Sequence, residues 1–272
     1  MKLDNRRTVL VGLAFLSICA FWQMYDNIIP LILTNTFHLN ETVSGAIMAA
    51  DNVLALFLLP FFGALSDRTS TKIGRRMPFI LGGTVCAVVL MNLLPIFDNG
   101  YAATGERGKL VLFVVALGLL LVAMGTYRSP AVALMPDVTP KPLRSRANAI
   151  INLMGAVGGI LYLAAAAVLY PNSKTAGAAH VNYQPLFVVV SVLMAVSVIV
   201  LYLTTNEPKL AAAEKEYEAA HPEQQLAEEE ADGHEELPKP VKRSLLMLLF
   251  SIALWYIGYN GVTTWWTTYV SR

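Results

Sequence analysis

Apolar residues in this chain gather into long unbroken runs. Seven stand out: Thr8–Leu33, Val43–Leu65, Pro78–Phe97, Leu110–Met135, Ala147–Tyr170, Pro185–Thr205 and Leu245–Val270. Each is close to or above the ~20 residues that a helix needs to cross a bilayer core. A helix on a soluble protein would carry one polar stripe, whereas these are apolar nearly all round, so lipid is the better solvent. The pattern predicts an all-α polytopic membrane protein. Residues 1–205 hold six spans, 206–243 a polar segment and 244–272 a seventh span. The first run has no small-residue cleavage site after a short apolar core, so it predicts a retained helix and not a removed leader. The segment from Asn206 to Arg243 is rich in Glu, Ala, Gln and Pro. It predicts a solvated, partly helical linker.

Composition agrees with the pattern. Of 272 residues, 56% are hydrophobic and 14% charged, against about 25% charged in a soluble domain; the mean hydropathy is +0.54. The net charge of +1 conceals clustering into basic loops and an acidic stretch from Glu214 to Glu236. No basic face suggests a nucleic-acid partner. Cys19 and Cys86 sit inside apolar runs and predict neither a disulfide nor a metal site. His38, His180, His221 and His234 are scattered between runs. With no nucleophile–base set, phosphate loop or metal-ligand spacing, the chain is expected not to be an enzyme and to need no cofactor.

Lysine and arginine placement sets the orientation. One side holds Lys2, Arg6, Arg7, Arg68, Lys72, Arg75, Arg76, Lys141, Arg144, Arg146, Lys209, Lys215, Lys239, Lys242 and Arg243. The other holds only Arg107, Lys109, Lys174 and Arg272. The N-terminus and the loop Gly63–Phe79 are therefore expected to be cytoplasmic, in a cell (inner) membrane. In that loop, Gly63 permits close helix approach, Asp67 can pair with arginines or face a helix N-terminus, and Arg75 and Arg76 hold the loop at the surface. Further along, Gly155, Gly158 and Gly159, with Gly118 and Gly125, predict tight helix packing.

The seventh run repeats part of the first. Ala20-Phe21-Trp22-Gln23-Met24-Tyr25-Asp26-Asn27-Ile28-Ile29 aligns without gaps on Ala253-Leu254-Trp255-Tyr256-Ile257-Gly258-Tyr259-Asn260-Gly261-Val262. The repeat falls where a second parallel half would begin. The chain is thus expected to be a fragment or truncated product, with a C-terminal half present in a full-length protein.

Gly63-x-x-x-Asp67-Arg68 followed by Gly74-Arg75-Arg76 resembles the signature loop between helices 2 and 3 of the major facilitator superfamily. The five residues Thr69–Ile73 that separate the two parts, and the ending Arg-Arg-Met-Pro-Phe, resemble the sucrose-transporter and glycoside–pentoside–hexuronide groups. Ser129 to Asp137, at the end of span four, is similar to the P-x-x-A-L-x-x-D ending seen there. The resemblance implies a six-helix N-terminal bundle, a long linker and the first helix of a second bundle. It also implies a conformational latch at Gly63, Asp67, Arg68, Gly74, Arg75 and Arg76, whose charges within this chain can pair with the loop holding Asp137, Arg144 and Arg146. Departures exist. Ala55 and Leu59 stand where sodium–melibiose permeases carry aspartates, and Val132 where plant sucrose transporters carry an arginine, with Arg128 one turn earlier. A proton is favoured over sodium as the coupling ion.

Three ionisable residues lie inside spans: Asp26, Asp51 and Arg128. Such residues are costly in hydrocarbon and commonly mark a substrate or ion path. At ~1.5 Å per residue, Asp26 lies roughly 10 Å and Asp51 about 12 Å from the outer face. Arg128 lies about 18 Å from it, within reach of either if the helices are neighbours. Pairing Arg128 with one aspartate leaves the other to bind a proton or cation, and protonation would change which pair forms. Trp22, Tyr25 and Tyr127 are candidates to stack on a sugar ring, and Asn27 and Asn52 to hydrogen-bond its hydroxyls. The leading expectation is proton- or cation-coupled symport of a sugar or glycoside by alternating access. The rivals are a carrier of the same fold for a non-sugar solute, and a non-transporting remnant or membrane partner subunit.

Overall fold

The computed structural model describes residues 3–171, 178, 180–220 and 238–270, and every regular element among them is helical. Lys2, Lys174, His221, His234, Arg272 and the acidic stretch beyond residue 220 lie outside the described residues. Helix α1 spans Asn5–Leu31 and continues as a π-helical turn, Ile32–Thr36. Then come α2 (Glu41–Arg68), α3 (Met77–Thr104), α4 (Arg107–Asp137), a 3-10 turn (Lys141–Leu143) and α5 (Arg144–Leu169). Helices α6 (Gln184–Thr204), α7 (Glu207–Ala220) and α8 (Lys239–Val270) complete the order. Among the described residues, seven of these (α1 to α6 and α8) are long and apolar enough to cross a membrane.

The first two helices start where a local side chain satisfies a free N–H group. The Asp4 carboxylate accepts from Arg7 N at 3.1 Å and Asn40 Oδ1 from Val43 N at 2.8 Å. The helices also outrun the apolar runs: α3 continues past Phe97 to Thr104 and so carries Asp98 inside the bundle.

Helix α1 lies at the centre, packed on α5 and α6; α3 packs on α4 and α6, and α2 on α4. Lipid gives no hydrophobic drive between spans, so close approach and polar contacts hold them. A Cβ on Gly158 would run into the carbonyl oxygen of Leu16. On Gly155 it would sit 2.9 Å from Cys19 Sγ, and on Gly12 2.7 Å from Met154 Cγ. The α1–α5 contact is therefore made at backbone distance. Gly118 differs from the sequence expectation: a Cβ there meets nothing within 4 Å. Polar ties include Asn92 Nδ2 donating to Ser191 Oγ at 2.6 Å (α3–α6) and Ser129 Oγ donating to the Leu59 carbonyl at 2.8 Å (α4–α2).

Two compact units divide the chain, Met1–Glu214 and Lys215–Arg272. The first runs past the expected boundary at residue 205. Thr205, Glu207 and Glu214 are 5%, 2% and 7% exposed, so one face of residues 207–214 packs on the bundle while Pro208, Lys209, Ala212 and Ala213 stay exposed. The reason is the partner that Glu207 finds. The second unit contains α8, whose stretch Pro240–Thr263 can cross a membrane.

Candidate functional site

Two polar assemblies of the first unit gather most of the charged residues that the sequence singled out. One gathers at the end of the bundle where α2 hands over to α3. Gly74 has φ +118°, a left-handed conformation that favours glycine. A Cβ there would also collide with the Glu207 carboxylate. The turn delivers the start of α3 to that carboxylate: Glu207 Oε1 accepts from Arg75 N (2.8 Å) and Arg76 N (2.9 Å), and Oε2 accepts from Met77 N (2.9 Å). No side chain local to α3 caps this helix. A residue 130 positions away supplies the anion that the exposed N–H groups and the helix dipole favour.

Arg76 is 4% exposed and carries the side-chain network. Its Nε donates to Asp137 Oδ2 at 2.8 Å, its Nη2 to Asp67 Oδ1, and its Nη1 to the Ser66 hydroxyl and, at 3.4 Å, the Gly63 carbonyl. Arg75 Nη2 reaches Asp137 Oδ1 at 2.7 Å. Asp137 thus bridges both arginines, and α2, α3 and α4 meet in one ion network. Arg144 does different work: it donates to the carbonyls of Thr139 (3.1 Å) and Pro136 (2.8 Å), satisfying the end of α4, and lies 4.0 Å from Glu214. Arg68 and Arg146 make no ion pair within 4.0 Å among the described residues, so the structure leaves these two expected latch residues out of the network.

The second assembly is a small recess inside the bundle, lined by Trp22 of α1, Asp51, Leu54, Ala55, Leu58 and Leu59 of α2, and Leu121, Gly125 and Arg128 of α4. It holds about 20 Å3 of space, room for about one water. The Arg128 guanidinium lies 5.5 Å from the centre of the Trp22 ring, a cation–π arrangement. The sequence suggested an Arg128–aspartate ion pair; no such pair within 4.0 Å forms with Asp26 or Asp51 among the described residues. Asp51 Oδ1 instead accepts from Asn52 N (2.6 Å) and Asn52 Nδ2 (2.9 Å), and Asn52 itself is exposed. Asp26 does not line the recess but is near enough to Asp51 for their charges to interact. Asn27 Nδ2 donates to the Gln23 carbonyl at 2.7 Å.

Two expected stacking residues are elsewhere. Tyr127 is 0% exposed; its hydroxyl pairs with that of Ser17 and donates to the Ala14 carbonyl at 3.0 Å, tying α4 to α1. Tyr25 is 1% exposed and packs edge-on against Trp22, with ring centroids 5.3 Å apart. Both rings are core. Only Trp22 of the three presents a face to the recess.

Residues that the sequence reading passed over include Glu207, Ser66 and Ser17. Glu207 carried a faint signal: an acid in the first turn after a span, two residues beyond Thr205.

The Major Facilitator Superfamily model matches residues 11–272 of the chain. Sucrose transport protein SUC3 of Arabidopsis thaliana is 32% identical over 146 residues, covering 48% of this chain and 24% of that protein. Sucrose transport protein SUT3 of Oryza sativa subsp. japonica is 32% identical over 147 residues, covering 49% and 27%. Putative glycoside/cation symporter YagG of Escherichia coli (strain K12) is 25% identical over 191 residues, covering 70% and 40%. The chain therefore covers well under two thirds of the length of these relatives. With seven helices among the described residues able to cross a membrane, an ion network on the signature loop and a family match over nearly its whole length, the chain belongs to the Major Facilitator Superfamily and is a multi-pass integral membrane protein of a transporter family.

Proposed function

We propose that this chain is part of a secondary transporter that moves a sugar or glycoside together with a proton by alternating access, with the basic loop on the cytoplasmic side. One observation carries the reading: the recess sets an aromatic face (Trp22), a fixed cation (Arg128) and a carboxylate (Asp51) around one space. Those are the groups that stack on a sugar ring, donate to its hydroxyls and accept from them. The names of the relatives support the solute class, since two are called sucrose transport proteins and one a putative glycoside/cation symporter. The recess holds about one water, so the solute would need further space beside it, as alternating access between two six-helix halves supplies. The Arg75–Arg76–Asp67–Asp137 network would hold one access state.

The test is counterflow in vesicles containing the protein, with labelled disaccharides and glycosides set against organic anions, and sugar-driven proton uptake read by a pH dye. Disaccharide exchange that is lost in Trp22→Ala and Arg128→Gln supports the reading. Exchange of organic anions alone moves the solute class elsewhere, and sugar uptake with no proton movement removes the coupling. If uphill uptake survives both Asp26→Asn and Asp51→Asn, neither carboxylate carries the coupled proton.

A further inference from the structure

At the end of the bundle opposite the basic loop, another carboxylate is buried. Asp98, in the last turns of α3, is 0% exposed; neither of its oxygens has a hydrogen-bond partner within normal distance, and the Thr36 hydroxyl is the donor that acts on it. His180 stands beside it, with Nε2 3.8 Å from Asp98 Oδ2 and 2.8 Å from Asn99 Oδ1, and Nδ1 3.4 Å from the Thr36 hydroxyl. The same short segment is tied down further. Asn99 Nδ2 donates to Asn182 Oδ1 at 2.9 Å, Asn182 Oδ1 accepts from Gln184 N at 2.9 Å at the start of α6, and the Tyr170 hydroxyl donates to the Asn182 carbonyl at 2.8 Å. Residues 180–183 thus strap together the π turn after α1, the end of α3 and the start of α6.

The chemistry of the strap depends on one proton. A neutral imidazole has a single N–H. Given to Asn99 Oδ1, it leaves Nδ1 to accept from Thr36 and nothing to neutralise Asp98. A buried carboxylate without a counter-charge is costly. A second proton makes an imidazolium, and the pair becomes a compensated ion pair.

We propose that Asp98 and His180 form a proton-binding clasp, which fastens residues 180–183 to the ends of α1 and α3 in acid and slackens as the pH rises. The attraction exists only while the pair holds its proton, so the stabilisation is present on the acid side and lost on the alkaline side. Histidine is the side chain whose ordinary titration falls between pH 5 and 8, and such a pair takes up its proton as a unit. The other titratable groups around it are Tyr101 on α3, Lys109 on α4 alongside Gly100, and Tyr170 and Tyr183 at the ends of the strap. Tyrosine and lysine side chains ordinarily keep one charge state through that window. Tyr183 is held neutral more firmly still, pushed up to about 12 by burial, then by the charge of Asp98 and by Tyr170. The clasp is separate from the recess and does not depend on the transported solute.

The test is amide hydrogen exchange of residues 180–184 in detergent micelles at pH 5.5 and 8.0, expressed as protection factors so that the intrinsic pH dependence of exchange cancels. The expected wild-type result is severalfold greater protection at pH 5.5 than at pH 8.0. His180→Gln keeps an amide for Asn99 and Thr36 but cannot take the proton, so its protection should be the same at both pH values. Asp98→Asn removes the buried charge and should stay protected at pH 8.0. Peptides from α5 serve as the control for global opening. Equal wild-type protection at the two pH values overturns the clasp, as does a pH dependence that persists in His180→Gln.

Discussion

Replacing Glu207 by Ala should loosen the whole handover between α2 and α3. The carboxylate is 2% exposed and accepts from three consecutive backbone N–H groups, of Arg75, Arg76 and Met77, at 2.8 to 2.9 Å. An ordinary N-cap deletion costs about 1 kcal/mol, and up to roughly 2 in a protein. A hydrogen bond to a charged group is worth about 1.5–3 kcal/mol. Three such bonds do not add in full, because water enters the space that Ala leaves and reclaims some of the N–H groups. A loss of about 3–4 kcal/mol follows. Glu207→Gln keeps the shape and one acceptor oxygen, but turns an amide NH2 toward a backbone N–H and discards the charge facing the helix dipole, so about 2 kcal/mol is expected. The assay is unfolding of the purified protein in a mild detergent by SDS titration, followed by tryptophan fluorescence. The exposed Glu216→Ala serves as the control for charge alone. The reasoning is refuted if Glu207→Ala unfolds within about 0.5 kcal/mol of wild type, or if Gln costs more than Ala.

Two further substitutions probe the packing and the ion network. Gly158→Ala drives a methyl group onto the Leu16 carbonyl oxygen and should cost about 1–3 kcal/mol by parting α1 from α5, while Gly118→Ala, with nothing within 4 Å, should be neutral; the same titration and the monodispersity of the detergent complex read both. Asp137→Asn strips both Arg75 and Arg76 of their shared carboxylate and leaves the buried Arg76 with Asp67 alone, so about 3 kcal/mol is expected, with Asp67→Asn milder because the Asp67 side chain is 55% exposed.

The spans were legible because lipid selects on composition, and composition is printed in the sequence. The order and number of the helices follow from it, and so does their tight packing where glycines recur, as at Gly155 and Gly158. What was not legible depends on rotation about each helix axis, which no run of apolar residues encodes. Tyr127 and Arg128 are adjacent in sequence, yet one is sealed in the core against Ser17 and the other faces the recess. Glycine content misleads for the same reason at Gly118, which lies on an open face. Asp98 was missed because its run was ended at the first charge, although a helix with a buried acceptor can continue past one. Glu207 was missed because its composition is that of a linker and its partners are 130 to 132 positions earlier.

Charge counting on the signature loop explains why Glu207 is drawn in. Asp67 and Asp137 already balance Arg75 and Arg76, one carboxylate for each guanidinium. A third carboxylate, buried at 2% exposure, would leave the assembly with a net negative charge that the low dielectric would punish. The compensation is not a side chain. The first turn of α3 presents its free N–H groups and roughly half a positive charge to that position, and Gly74 alone lets the chain turn tightly enough for the carboxylate to reach them. The network therefore closes within the first unit: two acids on two arginines, and one acid on a helix end. It follows that the loop needs no outside anion to be stable, and that whatever changes its state must compete with Glu207 for the N-terminus of α3 or with Asp137 for the two arginines.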